Sequence, residues 1–437
     1  MKLTVVGMDF EGLVNVVGFA EKGHQVFGLD SDKKKIAALR KNEVTINNES
    51  KLEEILQKND FNIRFTSEYR DAIYDASVIM FAIEPMEKET GRIDLSPLYQ
   101  CAKECCRFIS RDVVVIVRTT VPVGTNRELK EFMMAITDKK YNIDVVSNPE
   151  FLSQGTAVKD MLSPSRIVVG VSTKRAQNVM KELYQNFDAP LLFVSPESAE
   201  LIKYASNSYL AVKLSYINEI ADLCDKVGAD IQEVSFGIGL DPRIGTKYLS
   251  SGVGFGGPAL TLDTKVMQQL GKDKEVNLSI LDAALEVNEH RSEALINKIK
   301  SVIGSISGHR FAVLGLAYKG NTDDVRKSPA FSFIEALLRE EGRIIAYDTN
   351  STLAFKKKMK SDQHLDYATS LEEALRTCDY AVFLNESEEF KKLTNEQIVE
   401  YMKKPIIFDG KAVLNPYQLP DVSYYAIGKR IRHNKNA

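Results

Sequence analysis

A glycine-containing turn near the start of the chain has the residue types and spacing of a phosphate-binding loop. After a short apolar run, and before a helical pattern, the chain reads Gly7-Met8-Asp9-Phe10-Glu11-Gly12. Such a turn offers backbone N–H groups to a dinucleotide pyrophosphate at the start of a helix. Asp9 stands where a second glycine would let the backbone approach that ligand. Asp30, after the next apolar run, is the acid expected near a ribose, or alternatively a helix N-terminal residue.

Two further segments could take part in binding or catalysis. Lys203 and Asn207 lie four residues apart in a long helical pattern, so their side chains are expected on one face. The glycine-rich segment 252–257 (GVGFGG) is where a ligand would approach the backbone of the middle region most closely.

The five cysteines predict free thiols rather than disulfides or a metal site. Their number is odd and their spacing uneven, which favours a reducing compartment, and we expect a cytoplasmic protein. Cys101, Cys105 and Cys106 lie at helical spacing, and no second Cys/His cluster completes a zinc set. We therefore interpret these three as small apolar residues on one helix face and expect no metal.

The elements that must position these residues alternate along the chain. Short apolar runs, with helical patterns between them, predict strands buried on both faces at residues 3–6, 26–29, 78–83, 113–117, 144–146 and 167–169. A second cycle follows at residues 310–315, 343–348 and 380–384. The fold class predicted is α/β, with two Rossmann-like, doubly wound parallel-sheet domains.

A long helix is predicted between the two cycles. Ser195 supplies an N-cap, Pro196 suits the first helical position, and Gly228 follows the last periodic residue, Val227. About thirty residues of helix would span roughly 45 Å, a length suited to a connector and a dimer-forming element. Residues 229–300 add further helices.

Composition excludes several classes of protein. The 437 residues carry 57 Lys and Arg against 60 Asp and Glu, so the net charge is −3. This balance provides no basic field for nucleic acid, and the one basic cluster lies at residues 429–432. No segment reaches the roughly 18 apolar residues of a membrane span. We expect neither nucleic-acid nor membrane partners.

Several long motifs, in order, resemble those of the UDP-glucose 6-dehydrogenase family of nucleotide-sugar dehydrogenases. They are residues 119–125 (TTVPVGT), 147–152 (SNPEFL), 198–207 (SAELIKYASN), 239–245 (GLDPRIG), 254–257 (GFGG) and 315–326 (GLAYKGNTDDVR). The resemblance implies an N-terminal NAD-binding Rossmann domain at 1–195, a central helical dimerisation domain at 196–300 and a C-terminal UDP-binding domain at 301–437. It also implies two successive oxidations of the C6 alcohol of UDP-glucose, through a thiohemiacetal and then a thioester on a cysteine.

The catalytic positions implied by the resemblance are partly kept. Matching residues are Thr120, Glu150, Lys203, Asn207 and Asp263. The family's Gly-Gly-Ser-Cys-Phe-Pro-Lys-Asp motif reads GGPALTLD here, with Ala259 at the nucleophile position. A methyl group cannot become a thiolate. Gln154 and Leu262 also depart, from a glutamate and a lysine.

The resemblance also assigns cofactor and substrate positions. Gly7, Gly12, Asp30 and Thr120 would contact NAD, whereas Asp9 and Glu84 set carboxylates against its pyrophosphate, so ordinary NAD binding is not expected. The substrate positions implied for a UDP-sugar are Phe151, Leu152, Lys203, Asn207, Arg243, Tyr248, Leu249, Gly252, Phe255, Gly256, Lys319 and Lys411.

Losses concentrate at the nucleophile and the NAD loops, while the nucleotide-sugar positions are kept. One hypothesis is therefore a dimeric pseudoenzyme that binds a nucleotide sugar without 6-dehydrogenase turnover, as a homodimer or paired with an active homologue. Its role would be regulatory or structural. The alternative is an active NAD-dependent UDP-sugar 6-dehydrogenase with a rearranged site. A third is a scaffold that has lost both ligands.

Overall fold

The structure is a computed structural model that describes residues 1–44, 49, 51–88, 91–376 and 378–429. Of the basic cluster at 429–432, residues 430–432 lie outside this range. The chain divides into a first unit, Met1–Ser206, and a second unit, Asn207–Ala437. The three-part division at residues 195 and 300 stays a prediction.

The described residues of the first unit form ten strands, eight complete α-helices and the start of a ninth. Its strands are β1 Lys2–Val6, β2 Gln25–Leu29, β3 Ile63–Thr66, β4 Val78–Phe81, β5 Met86–Glu87, β6 Ile93–Asp94, β7 Val113–Val117, β8 Ile143–Ser147, β9 Ile167–Gly170 and β10 Leu191–Val194. Its helices are α1 Phe10–Glu21, α2 Lys33–Leu39, α3 Leu52–Lys58, α4 Tyr69–Ile73, α5 Ser96–Cys106, α6 Thr125–Ile136, α7 Ala157–Leu162, α8 Lys174–Leu183 and α9 Pro196–Val227, which continues into the second unit.

The second unit continues the alternation after four helices. Its helices are α10 Ile231–Gly239, α11 Leu260–Asp273, α12 Ser279–Glu289, α13 Arg291–Ile303, α14 Pro329–Arg339, α15 Thr352–Lys358, α16 Leu371–Arg376, α17 Glu388–Lys391 and α18 Asn395–Tyr401. Its strands are β11 Arg310–Leu314, β12 Arg343–Tyr347, β13 Leu365–Tyr367, β14 Tyr380–Phe383, β15 Ile406–Asp409 and β16 Ser423–Ala426.

Each unit has one large sheet, as the sequence predicted. In the first unit the order is β10-β9-β8-β7-β4-β1-β2-β3, and in the second it is β13-β12-β11-β14-β15-β16. The second sheet is parallel throughout. The first sheet differs from the predicted parallel arrangement between β9 and β8, which pair antiparallel through Gly170 and Ser147. The predicted α/β class is confirmed.

Burial on both sheet faces explains why the apolar runs form strands. All five residues of β7 are buried, and in β1 Leu3 and Val5 pack into one core while Val6 packs into another. Alternate residues of a strand point to opposite faces, so a strand covered by helices on both faces reads as a continuous apolar run. On α5, Cys105 and Cys106 join one of these cores and Cys101 packs against it, as predicted for small apolar residues.

The long helix α9 has the predicted bounds. Ser195 Oγ accepts a hydrogen bond from the Ser198 backbone N–H at 3.2 Å, which is the expected N-cap contact. Gly228 follows the helix with φ of +77°, a left-handed conformation that ends helices readily. Within the described residues, no helix combines the length and apolar character needed to cross a membrane.

Candidate functional site

The first turn of the N-terminal sheet has the backbone of a phosphate-binding loop. Gly7 has φ of +95°, and a Cβ built there would lie 2.6 Å from the Ala82 carbonyl oxygen. A Cβ on Gly12 would lie 1.7 Å from the Gly7 carbonyl oxygen. Glycine is therefore required at both positions, the first for the turn and the second for close packing where α1 begins.

Asp9 and Asp30 share one lysine beside this turn. Lys35 Nζ lies 2.6 Å from Asp9 Oδ1 and 3.0 Å from Asp30 Oδ2. Asp30 also accepts hydrogen bonds from the backbone N–H groups of Met8 and Asp32, each at 2.9 Å. The N-cap of α2 is Asp32, so Asp30 is free of the helix-capping role considered above. The Asp9 charge is thus partly neutralised, which the sequence did not indicate.

Glu150 and Lys203 form a buried ion pair in the first unit. Lys203 Nζ donates to Glu150 Oε1 at 2.5 Å and to the Glu150 carbonyl oxygen at 2.8 Å. The two side chains are 8% and 4% exposed. Burial alone would raise the pKa of Glu150, but the Lys203 charge and hydrogen bond outweigh it and lower the pKa. The pair therefore holds a carboxylate and an ammonium away from solvent.

Phe151 and Leu152 contact that pair in different ways. Lys203 Nζ lies 5.5 Å from the centroid of the Phe151 ring, and the Arg166 guanidinium lies 3.9 Å from the same centroid. The Leu152 backbone N–H donates to Glu150 Oε2. Thr120 is buried, whereas Gln154 is half-buried. Of the predicted catalytic residues, Thr120, Glu150 and Lys203 belong to this unit.

In the second unit, the glycine-rich segment 252–257 is held in place by side chains from three helices. Asn218 of α9 accepts from the Gly252 N–H at 2.7 Å, and Arg291 of α13 donates to the Gly252 carbonyl at 3.2 Å. Asn288 of α12 accepts from the Phe255 N–H at 2.7 Å and donates to the Phe255 carbonyl at 3.1 Å. These contacts fix the backbone of a loop that would otherwise be mobile.

The same loop contacts two other predicted substrate motifs. A Cβ on Gly256 would lie 2.1 Å from the Lys327 carbonyl oxygen, and one on Gly257 would lie 2.7 Å from the Tyr318 ring. A Cβ on Gly252 would lie 2.8 Å from Lys411 Cδ. The loop thus lies against the segments that carry Lys319 and Lys411. Three motifs far apart in sequence meet in this unit.

The remaining predicted residues of the second unit are more dispersed. Asn207 Nδ2 donates to Asp263 Oδ2 at 2.6 Å, and Asp263 is buried in the first turn of α11. Ala259, at the N-cap of that helix, is exposed, and Leu262 is half-buried. Leu249 is a core residue, and Tyr248 has φ of +62°.

Arg243 binds Asp241, which lies two residues earlier in the chain. Its guanidinium binds both carboxylate oxygens of Asp241, at 2.5 to 3.1 Å, and its side chain is 87% exposed. An exposed, bidentate arginine of this kind is preorganised to present its remaining N–H groups to another molecule.

Family models cover three stretches that together make up most of the chain. Residues 1–188 match the NAD binding domain of the UDP-glucose/GDP-mannose dehydrogenase family, residues 197–290 its central domain and residues 312–416 its UDP binding domain. The chain belongs to this family.

Individual relatives agree with that membership over nearly the whole length. The chain is 35% identical to UDP-glucose 6-dehydrogenase YwqF of Bacillus subtilis over 98% of both chains. It is 37% identical to UDP-glucose 6-dehydrogenase of Rhizobium meliloti, over 98% of this chain and all of that one. A solved UDP-glucose dehydrogenase from Pyrobaculum islandicum superposes with a TM-score of 0.90 at 29% identity, covering 98% of each chain.

The NAD crevice of this family member contains an acid that sequence reasoning missed. Glu11 lies in the first turn of α1, inside the fingerprint itself. Burial raises the pKa of its carboxyl most, and the charges of Glu150 and Glu84 raise it further. The place of Glu11 in the first turn of this helix could be read from the sequence, but its burial and charged neighbours could not.

The backbone of the first turn fits a dinucleotide, but the side chains around it do not. Gly7 and Gly12 make the required close approaches, and Asp30 lies where a ribose acid is expected. Against this stand three carboxylates, Asp9, Glu11 and Glu84, of which Lys35 pairs with Asp9.

Neither a metal cluster nor an activated thiol emerges from the described parts of the chain. No group of three or more His, Cys, Asp or Glu residues there could hold a metal ion. Burial raises the pKa of the thiols of Cys101, Cys105, Cys106 and Cys224, which disfavours their thiolates.

Proposed function

We propose that the chain binds a UDP-sugar in its second unit and does not carry the family's double oxidation of the C6 alcohol through to the acid. What supports this proposal is the resemblance of residues 256–263 to the family's nucleophile motif, in which Ala259 corresponds to the catalytic cysteine. The second oxidation proceeds through a thioester, and a methyl side chain can form neither that bond nor the preceding thiohemiacetal. The cysteine nearest in sequence, Cys224, lies 35 residues earlier (259 − 224).

UDP-sugar binding is supported by the meeting of three motifs in the second unit. The loop 252–257 is clamped by Asn218, Asn288 and Arg291, and it lies against the segments bearing Lys319 and Lys411. A preorganised backbone with two lysines nearby suits a diphosphate, because charge-assisted hydrogen bonds to phosphate are among the strongest. Ligand binding to a fixed loop also avoids an ordering cost.

Calorimetry and product analysis test the proposal together. UDP-glucose and UDP should bind saturably below millimolar concentration, with or without NAD. Incubation with UDP-glucose and NAD should yield no UDP-glucuronate by anion-exchange chromatography. Formation of UDP-glucuronate at a rate proportional to protein concentration would contradict the proposal, and so would the lack of binding of either uridine nucleotide at millimolar ligand.

A second candidate is NAD-dependent oxidation of a UDP-sugar that stops at the aldehyde. It is favoured by the Glu150–Lys203 ion pair and the Asn207–Asp263 hydrogen bond. These four polar residues match the family's catalytic positions, and each of them is buried or half-buried and has a partner. Oxidation of the alcohol to the aldehyde removes two electrons and two protons, so one NADH should form per UDP-glucose consumed. Absorbance at the NADH maximum, combined with an aldehyde-trapping hydrazine, distinguishes this candidate from simple binding.

We also propose that the chain forms a homodimer through α9. Tyr209, Tyr216 and Leu223 lie seven residues apart and are 62%, 53% and 55% exposed. This spacing places them on one face of the helix, and aromatic and aliphatic side chains of this kind are typical of subunit interfaces. Sedimentation velocity should give a dimer, and Tyr216→Asp should shift it toward the monomer, whereas the exposed control Tyr417→Asp should not.

A heterodimer with an active homologue is the other outcome of that experiment. If the purified chain sediments as a monomer at micromolar concentration, homodimerisation is wrong. Mixing with an active 6-dehydrogenase would then show whether a mixed species forms. Arg243, exposed and held by Asp241, is the residue we expect to reach a neighbouring subunit.

A further inference from the structure

Glu11 lies at the carboxyl edge of the N-terminal sheet among other charged residues. Glu84 follows β4, Arg118 follows β7 and Glu150 follows β8. These strands are consecutive in the sheet, in the order β8-β7-β4-β1. The carboxyl ends of parallel strands meet at one edge, where α/β folds bind their ligands. Glu11, in the first turn of α1, is at the same edge.

The Glu11 side chain is half-buried, and its carboxyl is incompletely satisfied. Its Oε2 atom is inaccessible to solvent and has no hydrogen-bond partner among the described residues. The charged groups whose fields reach it are Glu150, Lys203, Glu84 and Arg118. A buried carboxyl oxygen without a donor is poorly stabilised as an anion, and the two neighbouring carboxylates oppose its ionisation further.

A dinucleotide would bring a second negative charge to this place. In folds of this class the pyrophosphate binds at the N-terminus of the first helix, where the backbone N–H groups point. A carboxylate about 4 Å from a phosphate oxygen weakens binding on the order of a thousandfold at an effective dielectric of about 20. A protonated carboxyl carries no such charge and can donate a hydrogen bond to phosphate.

We propose that dinucleotide binding at this turn is proton-linked through Glu11, so that the crevice accepts a pyrophosphate when the Glu11 carboxyl carries a proton and rejects it when that proton is lost. Glu11 is thereby the residue that determines cofactor affinity in this chain. The proposal concerns the first unit and does not rest on UDP-sugar binding or on the loss of the acid-forming step.

The test is a titration of the full-length protein with NADH, followed by fluorescence, from about pH 6 to about pH 9. The wild-type affinity should fall as pH rises, by up to about tenfold per pH unit once Glu11 ionises. Glu11→Gln keeps the size of the side chain and cannot ionise, so its affinity should be nearly independent of pH. The ratio of the two affinities should therefore be near unity at low pH and grow as pH rises.

Two further variants separate an electrostatic role from a structural one. Glu84→Gln removes an acid that opposes ionisation of Glu11, so the midpoint of the wild-type pH profile should move to lower pH while the slope remains. Glu53→Gln removes an exposed acid from the first turn of another helix, α3, and should leave the profile unchanged. Thermal denaturation with and without UDP-glucose verifies folding of each variant independently of NADH.

Several results would overturn the proposal. One is an equal pH dependence in wild type and Glu11→Gln, which would place the titrating group elsewhere. Another is failure of both proteins to bind NADH across the whole pH range, confirmed with Glu11→Val in case the amide is poorly tolerated. In either case UDP-glucose calorimetry on the same samples reports separately on the proposed function.

Discussion

In both units the first strand of the α/β cycle ends at a glycine with left-handed backbone, Gly7 at φ +95° and Gly315 at φ +100°. Each is closely approached by the segment that follows the neighbouring strand, β4 in the first unit and β14 in the second. A Cβ on Gly7 would lie 2.6 Å from Ala82, and one on Gly315 would lie 2.7 Å from Asn385. In each unit, moreover, an aspartate after the second strand accepts an N–H from the turn. Asp30 accepts from Met8 at 2.9 Å and Asp348 accepts from Leu316 at 2.8 Å.

The surroundings of the two turns differ in charge. Asp30 and Asp9 share Lys35, and Glu11 lies in the first turn of α1, which starts directly after this glycine turn. Asp348 is 2% exposed and is saturated by backbone N–H groups and by Asn385 Nδ2 at 2.9 Å. Here the turn leads into Lys319, and the next helix begins at Pro329.

The same backbone geometry therefore occurs in two turns whose neighbouring side chains differ in charge. The glycine, the paired strands and the aspartate fix the turn, and they leave the sign of the surrounding charge to a few neighbouring side chains. The first unit collects carboxylates where the family binds a dinucleotide. The second keeps lysines where a nucleotide sugar is proposed to bind.

The largest effect is expected where the first unit buries a full ion pair. Lys203→Met leaves the Glu150 carboxylate buried without its partner, and removal of one member of such a pair costs about 3–5 kcal/mol. Urea unfolding of the full-length protein measures the loss of stability. The double variant Glu150→Gln/Lys203→Met should recover most of it, because neither position of the pair then holds a buried charge.

The corresponding contact of the second unit provides the control for that prediction. Asn207 donates a single hydrogen bond to Asp263, so Asn207→Ala should cost about 1–3 kcal/mol. If Lys203→Met cost no more than Asn207→Ala, the idea that the first unit depends on charge compensation would be wrong.

Lys319→Ala should weaken UDP-glucose binding without changing NADH binding. Loss of a charge-assisted hydrogen bond to a phosphate oxygen costs about 1.5–3 kcal/mol, which is about 10- to 100-fold in affinity. Calorimetry with UDP-glucose measures this change, and the exposed Lys358→Ala, at the end of α15, serves as the matched control. An equal loss with both variants would indicate a general effect of charge rather than a contact.

Much of this comparison could be predicted from the sequence, for a physical reason. The bounds of α9 follow from local chemistry, since Ser195 caps the first turn and Gly228 adopts the left-handed backbone that ends it. Strands such as β7 were recognised because burial on both faces demands a continuous apolar run.

The rest depended on tertiary contacts that a single sequence does not carry. An apolar run reads the same in both directions, so the antiparallel pairing of β9 with β8 could not be seen. Asp9 was identified as an obstacle to phosphate, but its pairing with Lys35, 26 residues away, was not visible. Glu11 was overlooked because the burial that raises its pKa, and the charges of Glu84 and Glu150 that raise the pKa further, arise only in the folded chain.

A smaller effect is expected from His24, which tests the first unit away from its crevice. Burial lowers the pKa of this imidazole, with a further contribution from the N-terminal ammonium, and Nε2 lies 2.9 Å from the Leu183 carbonyl oxygen. The unfolded chain then binds more protons than the folded one between the lowered pKa and the ordinary value near 6.5. Stability should therefore rise with pH through that window and level off above it.

The measurement is the urea midpoint as a function of pH for wild type and His24→Asn. The variant should lose the pH-dependent part that His24 contributes, whatever its overall stability. An unchanged slope in His24→Asn would assign the pH dependence to the carboxylates of the crevice instead.

The smallest expected effect is that of Ala259→Cys alone, which should produce no UDP-glucuronate. A thiol at the N-cap of α11 supplies the atom that the covalent step needs. It changes neither Leu262 nor Gln154, and it leaves Asp9, Glu11 and Glu84 in the first unit. Adding Glu11→Val and Asp9→Gly to Ala259→Cys should restore NADH binding at neutral pH without yet producing UDP-glucuronate. The reason is that the proposed determinants of cofactor affinity lie in the first unit, whereas the nucleophile position lies in the second. If Ala259→Cys alone gave UDP-glucuronate, the carboxylates of the first turn would not oppose the dinucleotide, and the two turns would not differ in function as their charges indicate.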